Sequence, residues 1–137
     1  MYATQQDLVK RFGALELAQL TDPDAVLGAI DGERVALALA DADHLINGYC
    51  GARYVLPLSP VPDVVVRIAC DLARYYLHTI QPTDVVTANY KDALRQLADI
   101  AAGRLPLQAG AIPTPELEGA SVLVEGPVRI FSALGGF

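Results

Sequence analysis

The fold is predicted most directly by residues 62–78, which read PDVVVRIACDLARYYLH. Apolar side chains recur there at spacings of three and four, as they do on one face of an α-helix. The stripe consists of Val65, Ile68, Ala69, Leu72 and Tyr76. Pro62 suits the first turn of a helix, because its missing N–H would have no partner there. We therefore predict an amphipathic helix from Pro62 to about His78.

Two short helices are predicted at the N-terminus. Thr4 and Asp7 have the spacing of a capping box, which places the start of the first helix at Thr4. Gly13 is a natural end for this helix. A second short helix is predicted over Ala14–Leu20.

Two longer helices flank the segment 62–78. One begins at Asp31 and runs to about Ala52, and the other begins at Thr83 or Asp84 and runs to about Ala102. Their stripes are Val35, Leu39, Ala42, Leu45 or Ile46, and Tyr49 in the first, and Val86, Tyr90, Ala93 or Leu94, Leu97, and Ile100 or Ala101 in the second. The predicted fold class is therefore all-α: a compact bundle of about five helices, two short and N-terminal and three longer.

The helical pattern ends at Gly103. We predict a helical domain over residues 1–103 and a Pro- and Gly-rich tail over 104–137 that is flexible or ordered only against a partner. Within this tail, residues 121–125 and 128–131 are compatible with a short β-hairpin, which would be marginally stable alone. Inside the helical domain, three prolines between positions 57 and 62 predict a stiff, extended Pro-rich loop.

Composition excludes several classes of protein. The 137 residues carry a net charge of −6, and the ten Lys and Arg residues are scattered. Because nucleic-acid binding depends on a dense basic patch, we expect no specific nucleic-acid partner. There is no long uncharged apolar run and no basic-then-apolar N-terminus, so we expect no membrane span and no signal peptide. Cys50 and Cys70 lie among apolar neighbours, which indicates buried free thiols.

Groups able to carry out a reaction are few. The only histidines are His44 and His78, and neither has the sequence context of a nucleophilic triad. Asp41, Asp43 and His44 cluster in sequence, but residues one or two apart on a helix face different directions and cannot share a metal ion. For the two aspartates we expect a solvated face or a pair between subunits. We assign no catalytic residue, no cofactor and no metal site, and we expect no enzymatic activity.

One set of polar residues stands out, namely Arg53, Arg67, Asp71 and Arg74. Arg67 and Asp71 are four residues apart and share a helix face. One interpretation is an internal ion pair that fixes the Pro-rich loop against the fourth helix. A second is an ion pair between subunits, and a third is an active site. Arginine suits both kinds of ion pair, because its planar guanidinium pairs with carboxylates in a fixed geometry.

Several segments resemble, in order and spacing, a protein family of Mu-like phages and prophages. They are MYATQQDL at 1–8, RFG at 11–13, DA at 41–42, INGY at 46–49, RYVLPL at 53–58, IACDLARY at 68–75 and YKDAL at 90–94. The resemblance covers about Met1 to Leu107. The family offers no catalytic residue to carry over.

The resemblance implies a role in virion assembly. Members of this family belong to the virion-assembly gene cluster, near the major head protein. They look like the helical head–tail connector (adaptor) proteins of tailed phages, which form a ring beneath the portal and accept tail-completion proteins. A ring needs heterologous contacts between copies.

The implied partners are therefore further copies of the chain, the portal, and tail-completion or neck proteins. The isolated chain need not form the ring, because assembly can require the portal. The implied location is the neck of the virion, and the bacterial host cytoplasm before assembly. The alternative is a non-virion interaction module, such as a phage assembly chaperone or a regulator.

Overall fold

Two short helices form the N-terminal part of the chain in the computed structural model, which describes residues 1–112. Helix α1 spans Gln5–Phe12 and α2 spans Ala14–Thr21. The Thr4 hydroxyl accepts a hydrogen bond from the Asp7 N–H, and the Asp7 carboxylate accepts one from the Thr4 N–H. The predicted capping box is confirmed.

Three longer helices form the core: α3 spans Gly32–Cys50, α4 spans Asp63–Tyr76 and α5 spans Asp84–Ala101. The start of α3 and the end of α4 line a common cleft, so these two helices are antiparallel. Arg53, which follows α3, contacts the last carbonyls of α5, so α3 and α5 finish at the same end of the bundle. Their buried side chains are Val35, Ala38, Leu39, Ala42, Ile46, Cys50, Val65, Ile68, Ala69, Cys70, Leu72, Ala73, Val86, Ala93, Leu97 and Ile100. Each large aliphatic side chain among them stabilises the fold by about 1.5–3 kcal/mol.

This five-helix arrangement confirms the predicted all-α fold class. Asp31 and Thr83 cap α3 and α5 with their side chains, as their sequence positions predicted. The predicted ends of α3 and α4 lie two residues past the observed ones, within the usual spread of helix boundaries. Tyr76 and Tyr90 are half-buried at the edge of the core, where their rings meet edge to face, 6.1 Å apart.

Residues 51–62 and 104–112 together cover one end of the bundle. An isolated antiparallel bridge pairs Tyr54 with Ala111, and backbone hydrogen bonds flank it on both sides. The Tyr54 hydroxyl accepts a hydrogen bond from the Leu107 N–H at 2.8 Å. The Pro-rich loop is thus paired with the segment that follows α5.

The predicted division at Gly103 stays a prediction. Side chains of residues 105, 107 and 109 pack against the hydrophobic core, so contact with the bundle continues beyond the end of the predicted helical domain. The predicted β-hairpin falls on residues 121–131, which lie outside the described part of the chain.

Candidate protein-interaction surface

The polar residues singled out by the sequence lie in separate places, and two of them form an ion pair on α4. Arg67 Nη1 lies 3.5 Å from Asp71 Oδ2, as the four-residue spacing predicted. Arg67 Nη2 donates a hydrogen bond to Gln96 Oε1 of α5 at 2.6 Å. Through this second contact Arg67 links α4 to α5.

Burial dominates the electrostatics of Asp71. It raises the pKa of this carboxyl above its ordinary value, against the opposing effects of Arg67, Arg11 and Arg74. The Asp71 side chain is only 12% exposed. The ion pair therefore does not fully offset the loss of hydration, and it holds the fold together weakly.

Arg74 ties the N-terminal helices to α4. Its Nε and Nη2 donate to the two carboxylate oxygens of Glu16 at 2.6 and 2.9 Å. Its guanidinium carbon also lies 4.2 Å from the ring centroid of Phe12. A two-pronged ion pair combined with a cation–π contact fixes the guanidinium in one orientation.

Arg53 closes the C-terminus of α5. Its Nε donates to the Ala101 carbonyl at 2.8 Å, and its Nη2 donates to the Ala102 carbonyl at 3.2 Å. Terminal carbonyls have no partner inside the helix, and a cation there also interacts favourably with the helix dipole. Within residues 1–112, no hydrogen bond or ion pair joins Arg53 to Asp71, the carboxylate of the predicted set.

The Pro-rich loop is held by Tyr2, a contact that the sequence did not reveal. The Tyr2 hydroxyl donates a hydrogen bond to Asn47 Oδ1 and accepts one from the Leu58 N–H at 3.0 Å. The Tyr2 N–H donates to Asp43 Oδ1 at 3.0 Å. The Arg67–Asp71 pair connects α4 to α5 through Gln96, and its predicted role in fixing the loop stays a prediction. A single tyrosine before the first helix has no periodic pattern that would point to partners more than forty residues away.

Other candidate chemical groups are dispersed. The Asp43 carboxylate accepts a hydrogen bond from the Tyr2 N–H, whereas Asp41 and His44 are exposed on α3. Cys50 and Cys70 are free and buried, as predicted, and burial raises the pKa of the Cys70 thiol to about 11. In the part of the chain that the structure describes, no three His, Cys, Asp or Glu side chains are grouped as metal ligands. No helix there combines the length and apolar character needed to cross a membrane.

The loop between α2 and α3 presents two large apolar side chains on an ordered backbone. Val26 is 81% exposed and Leu27 is 60% exposed. The Asp22 carboxylate accepts hydrogen bonds from the N–H groups of Val26, Leu27 and Gly28 at 2.9, 3.0 and 2.8 Å. Desolvation acts to raise the pKa of Asp22, but these hydrogen bonds outweigh it and the pKa lies below its ordinary value. We call residues 22–30 the tip loop.

Exposed apolar side chains concentrate at the two ends of the bundle. The leading end, where α3 and α5 begin, exposes Val26, Leu27, Leu37, Ile80 and Val85. The trailing end, where α3 and α5 finish, exposes Val55, Leu56, Val61 and Ile112. Among residues 1–112, the other exposed large apolar side chains are Met1 and Leu15.

A groove of about 460 Å³ opens at the trailing end. The Pro-rich loop forms one wall and the segment after α5 forms the other. Its lining residues are Pro60, Val61, Pro62, Asp63, Val64, Pro106, Leu107 and Gln108. The cleft at the leading end, lined in part by Leu37 and Tyr76, is smaller, at about 120 Å³.

The two ends also differ in charge. The leading end carries Asp22, Asp24, Asp31, Glu33 and Asp84 against Arg34, beside the Arg74–Glu16 ion pair, which adds no net charge. The trailing end carries Arg53 and Arg104 together with Asp63 and Asp99. The leading end is therefore strongly acidic, and the trailing end is balanced.

Within residues 1–112, these features define a small helical protein whose exposed apolar side chains lie mainly at its two ends. Comparison with known proteins shows that it is a phage protein. The chain belongs to the family described as "Bacteriophage Mu, Gp36", whose model matches residues 2–125. It is 38% identical to "Gene product J" of Escherichia phage Mu over 133 residues, which span 96% of this chain and 94% of that protein. It is 39% identical to "Mu-like prophage FluMu protein gp36" of Haemophilus influenzae over 108 residues, which span 78% of this chain and 75% of that protein.

Proposed function

We propose that this chain is a structural virion protein, a head–tail connector that joins the portal to tail-completion proteins in a Mu-like phage or prophage. The observation that carries the proposal is membership of the Mu Gp36 family, with a match along nearly the whole chain. The sequence resemblance described above implies that this family acts in virion assembly.

The helical body suits a building block of a ring. Each subunit of a ring meets its neighbours through two different surfaces, because a heterologous contact is repeated around the axis. Residues 1–112 offer two candidates for such surfaces, since their exposed apolar side chains gather mainly at opposite ends of the bundle. Exposed apolar patches on a small domain are typical of protein-interaction sites.

In this proposal the chain acts by contact alone. It catalyses no reaction, needs no cofactor and reads no nucleic-acid sequence. Its partners are further copies of itself, the portal, and the tail-completion or neck proteins. It is made in the bacterial cytoplasm and resides in the neck of the finished particle.

Electron microscopy of particles produced with the gene deleted tests the proposal. We expect heads without tails, and normal tailed particles when the wild-type gene is restored in trans. Heads that still acquire tails in the deletion strain would refute a connector role.

Mass spectrometry of purified finished virions separates a connector from an assembly chaperone or regulator. We expect peptides of this chain in the virions at an abundance comparable to that of other neck proteins. Deletion that blocks tail attachment, combined with absence of the chain from wild-type virions, would instead indicate the chaperone.

A further inference from the structure

We infer that copies of this chain join end to end, with the tip loop of one copy seated against the trailing end of the next. Val26 and Leu27 would contact the groove beside Val61 and the exposed side chains of Val55 and Ile112. This inference rests on the proposed ring and names the contact that builds it.

The geometry of α3 separates the two surfaces. The tip loop directly precedes α3, and the Pro-rich loop follows it after a short turn. With 19 residues, α3 is about 28 Å long at a rise of 1.5 Å per residue. Two patches at opposite ends of a rod cannot meet within one copy, so they are available to two different neighbours.

The tip loop is prepared for docking before any partner arrives. The single carboxylate of Asp22 fixes the backbone N–H groups of Val26, Leu27 and Gly28. The side chains of Val26 and Leu27 remain exposed to solvent. Because the backbone is already ordered, burying these side chains costs little further conformational entropy.

The trailing end has a groove that can accept the apolar side chains of the tip loop. Its groove of about 460 Å³ is within the range of pockets that accept apolar groups. Pro60, Pro62 and Pro106 stiffen its walls, because proline restricts its own backbone and that of the preceding residue.

Charge favours contact between unlike ends. Two leading ends brought together would place one cluster of carboxylates against another, since five acidic side chains and one arginine lie there besides the neutral Arg74–Glu16 pair. The trailing end has Arg53 and Arg104 to offset its own two carboxylates, so it meets an acidic end without that repulsion. The contact is therefore heterologous, as a ring requires.

The test uses full-length variants with one end blocked. Val26→Asp with Leu27→Asp blocks the leading end, and Val55→Asp with Val61→Asp blocks the trailing end. All four side chains are exposed, so the fold is expected to persist, which circular dichroism checks. Leu15→Asp with Lys10→Gln changes the charge by the same amount on the side of the bundle and is the matched control.

Sedimentation velocity at about 1 mM detects contacts with millimolar dissociation constants. We expect the wild type and the control to form species larger than dimers. Each blocked variant alone should be monomeric, whereas an equal mixture of the two should form one-to-one dimers and nothing larger, because only one intact contact remains.

Three results would overturn the inference. If the mixture stays monomeric, the leading end does not bind the trailing end. If a blocked variant associates on its own, the contact joins like ends. A monomeric wild type would mean that another partner, or residues 113–137 of the same chain, covers the trailing end. The virion experiments above are independent of this test. If the chain is found in the neck but does not associate end to end, the connector proposal stands and only the end-to-end contact is refuted.

Discussion

Arg53 occupies the space that a side chain on Gly103 would need. A Cβ atom built on Gly103 would lie 2.8 Å from Arg53 Cζ, and the φ of Gly103 is +82°. The glycine both turns the chain after α5 and leaves room for the guanidinium that caps this helix.

Gly103→Ala is therefore expected to lower the free energy of unfolding by about 1–2 kcal/mol, the cost of a left-handed conformation at a residue with a Cβ. Displacement of Arg53 from the Ala101 carbonyl adds to this loss. Urea denaturation measures the change. Gly48→Ala is the control, because it lies inside α3 with open space around its Cβ and should raise stability by about 0.5–1 kcal/mol. Equal effects at the two sites would contradict the interpretation.

Arg74→Ala is expected to destabilise the protein by about 2–3 kcal/mol, because it removes two hydrogen bonds to the Glu16 carboxylate. A double-mutant cycle with Glu16→Ala isolates the coupling between the two side chains. Arg95→Ala breaks a pair with Asp92 in which both side chains are more than half exposed, and should cost less than about 1 kcal/mol. If thermal denaturation finds no coupling between Arg74 and Glu16, they do not tie α2 to α4.

Asp71 makes the stability of the protein depend on pH in a defined direction. Its folded-state pKa is raised above the ordinary value of 3.8, so the folded state holds the proton more tightly than the unfolded state does. The stability from this group is fully present below pH 3.8 and is lost as the pH rises through the folded-state pKa.

We therefore expect the stability of the wild type, measured relative to Asp71→Asn, to increase as the pH falls from 7 towards 4. Chemical denaturation across this range gives the difference curve, and Asp41→Asn on the exposed face of α3 corrects for the change in net charge. A relative stability that falls on acidification would show that ion pairing, rather than burial, governs Asp71.

Order in the tip loop is expected to disappear on acidification. The Asp22 pKa is lowered from 3.8, so its contribution is present above that value and is lost as the pH falls through the lower folded-state pKa. NMR chemical shifts of the Val26, Leu27 and Gly28 amides follow the change. Asp22→Ala should give the shifts of a disordered loop already at neutral pH, with α3 unaffected, and unchanged amide shifts would contradict this.

The sequence anticipated the parts of the fold that depend on near neighbours. The Thr4–Asp7 capping box, the Asp31 cap and the four-residue spacing of Arg67 and Asp71 all follow from local helix geometry. The sequence does not indicate which residue of a distant helix pairs with each arginine. Arg74 meets Glu16 across 58 positions and Arg53 meets Ala101 across 48, and no local periodicity encodes such pairs.

The hydrogen bond from the Leu58 N–H to the Tyr2 hydroxyl closes a loop that contains the N-terminal half of the described chain, since the two residues lie 56 positions apart. Long loops close at a greater entropic cost than single helical turns, and contacts between distant residues tend to form late. As the polypeptide leaves the ribosome, α1 and α2 emerge well before Leu58 does. Tyr2 can meet Asp43 and Asn47 once α3 has emerged, but its hydrogen bond with Leu58 forms only after the Pro-rich loop has cleared the exit tunnel. This last contact of the N-terminus therefore waits for synthesis of the middle of the chain.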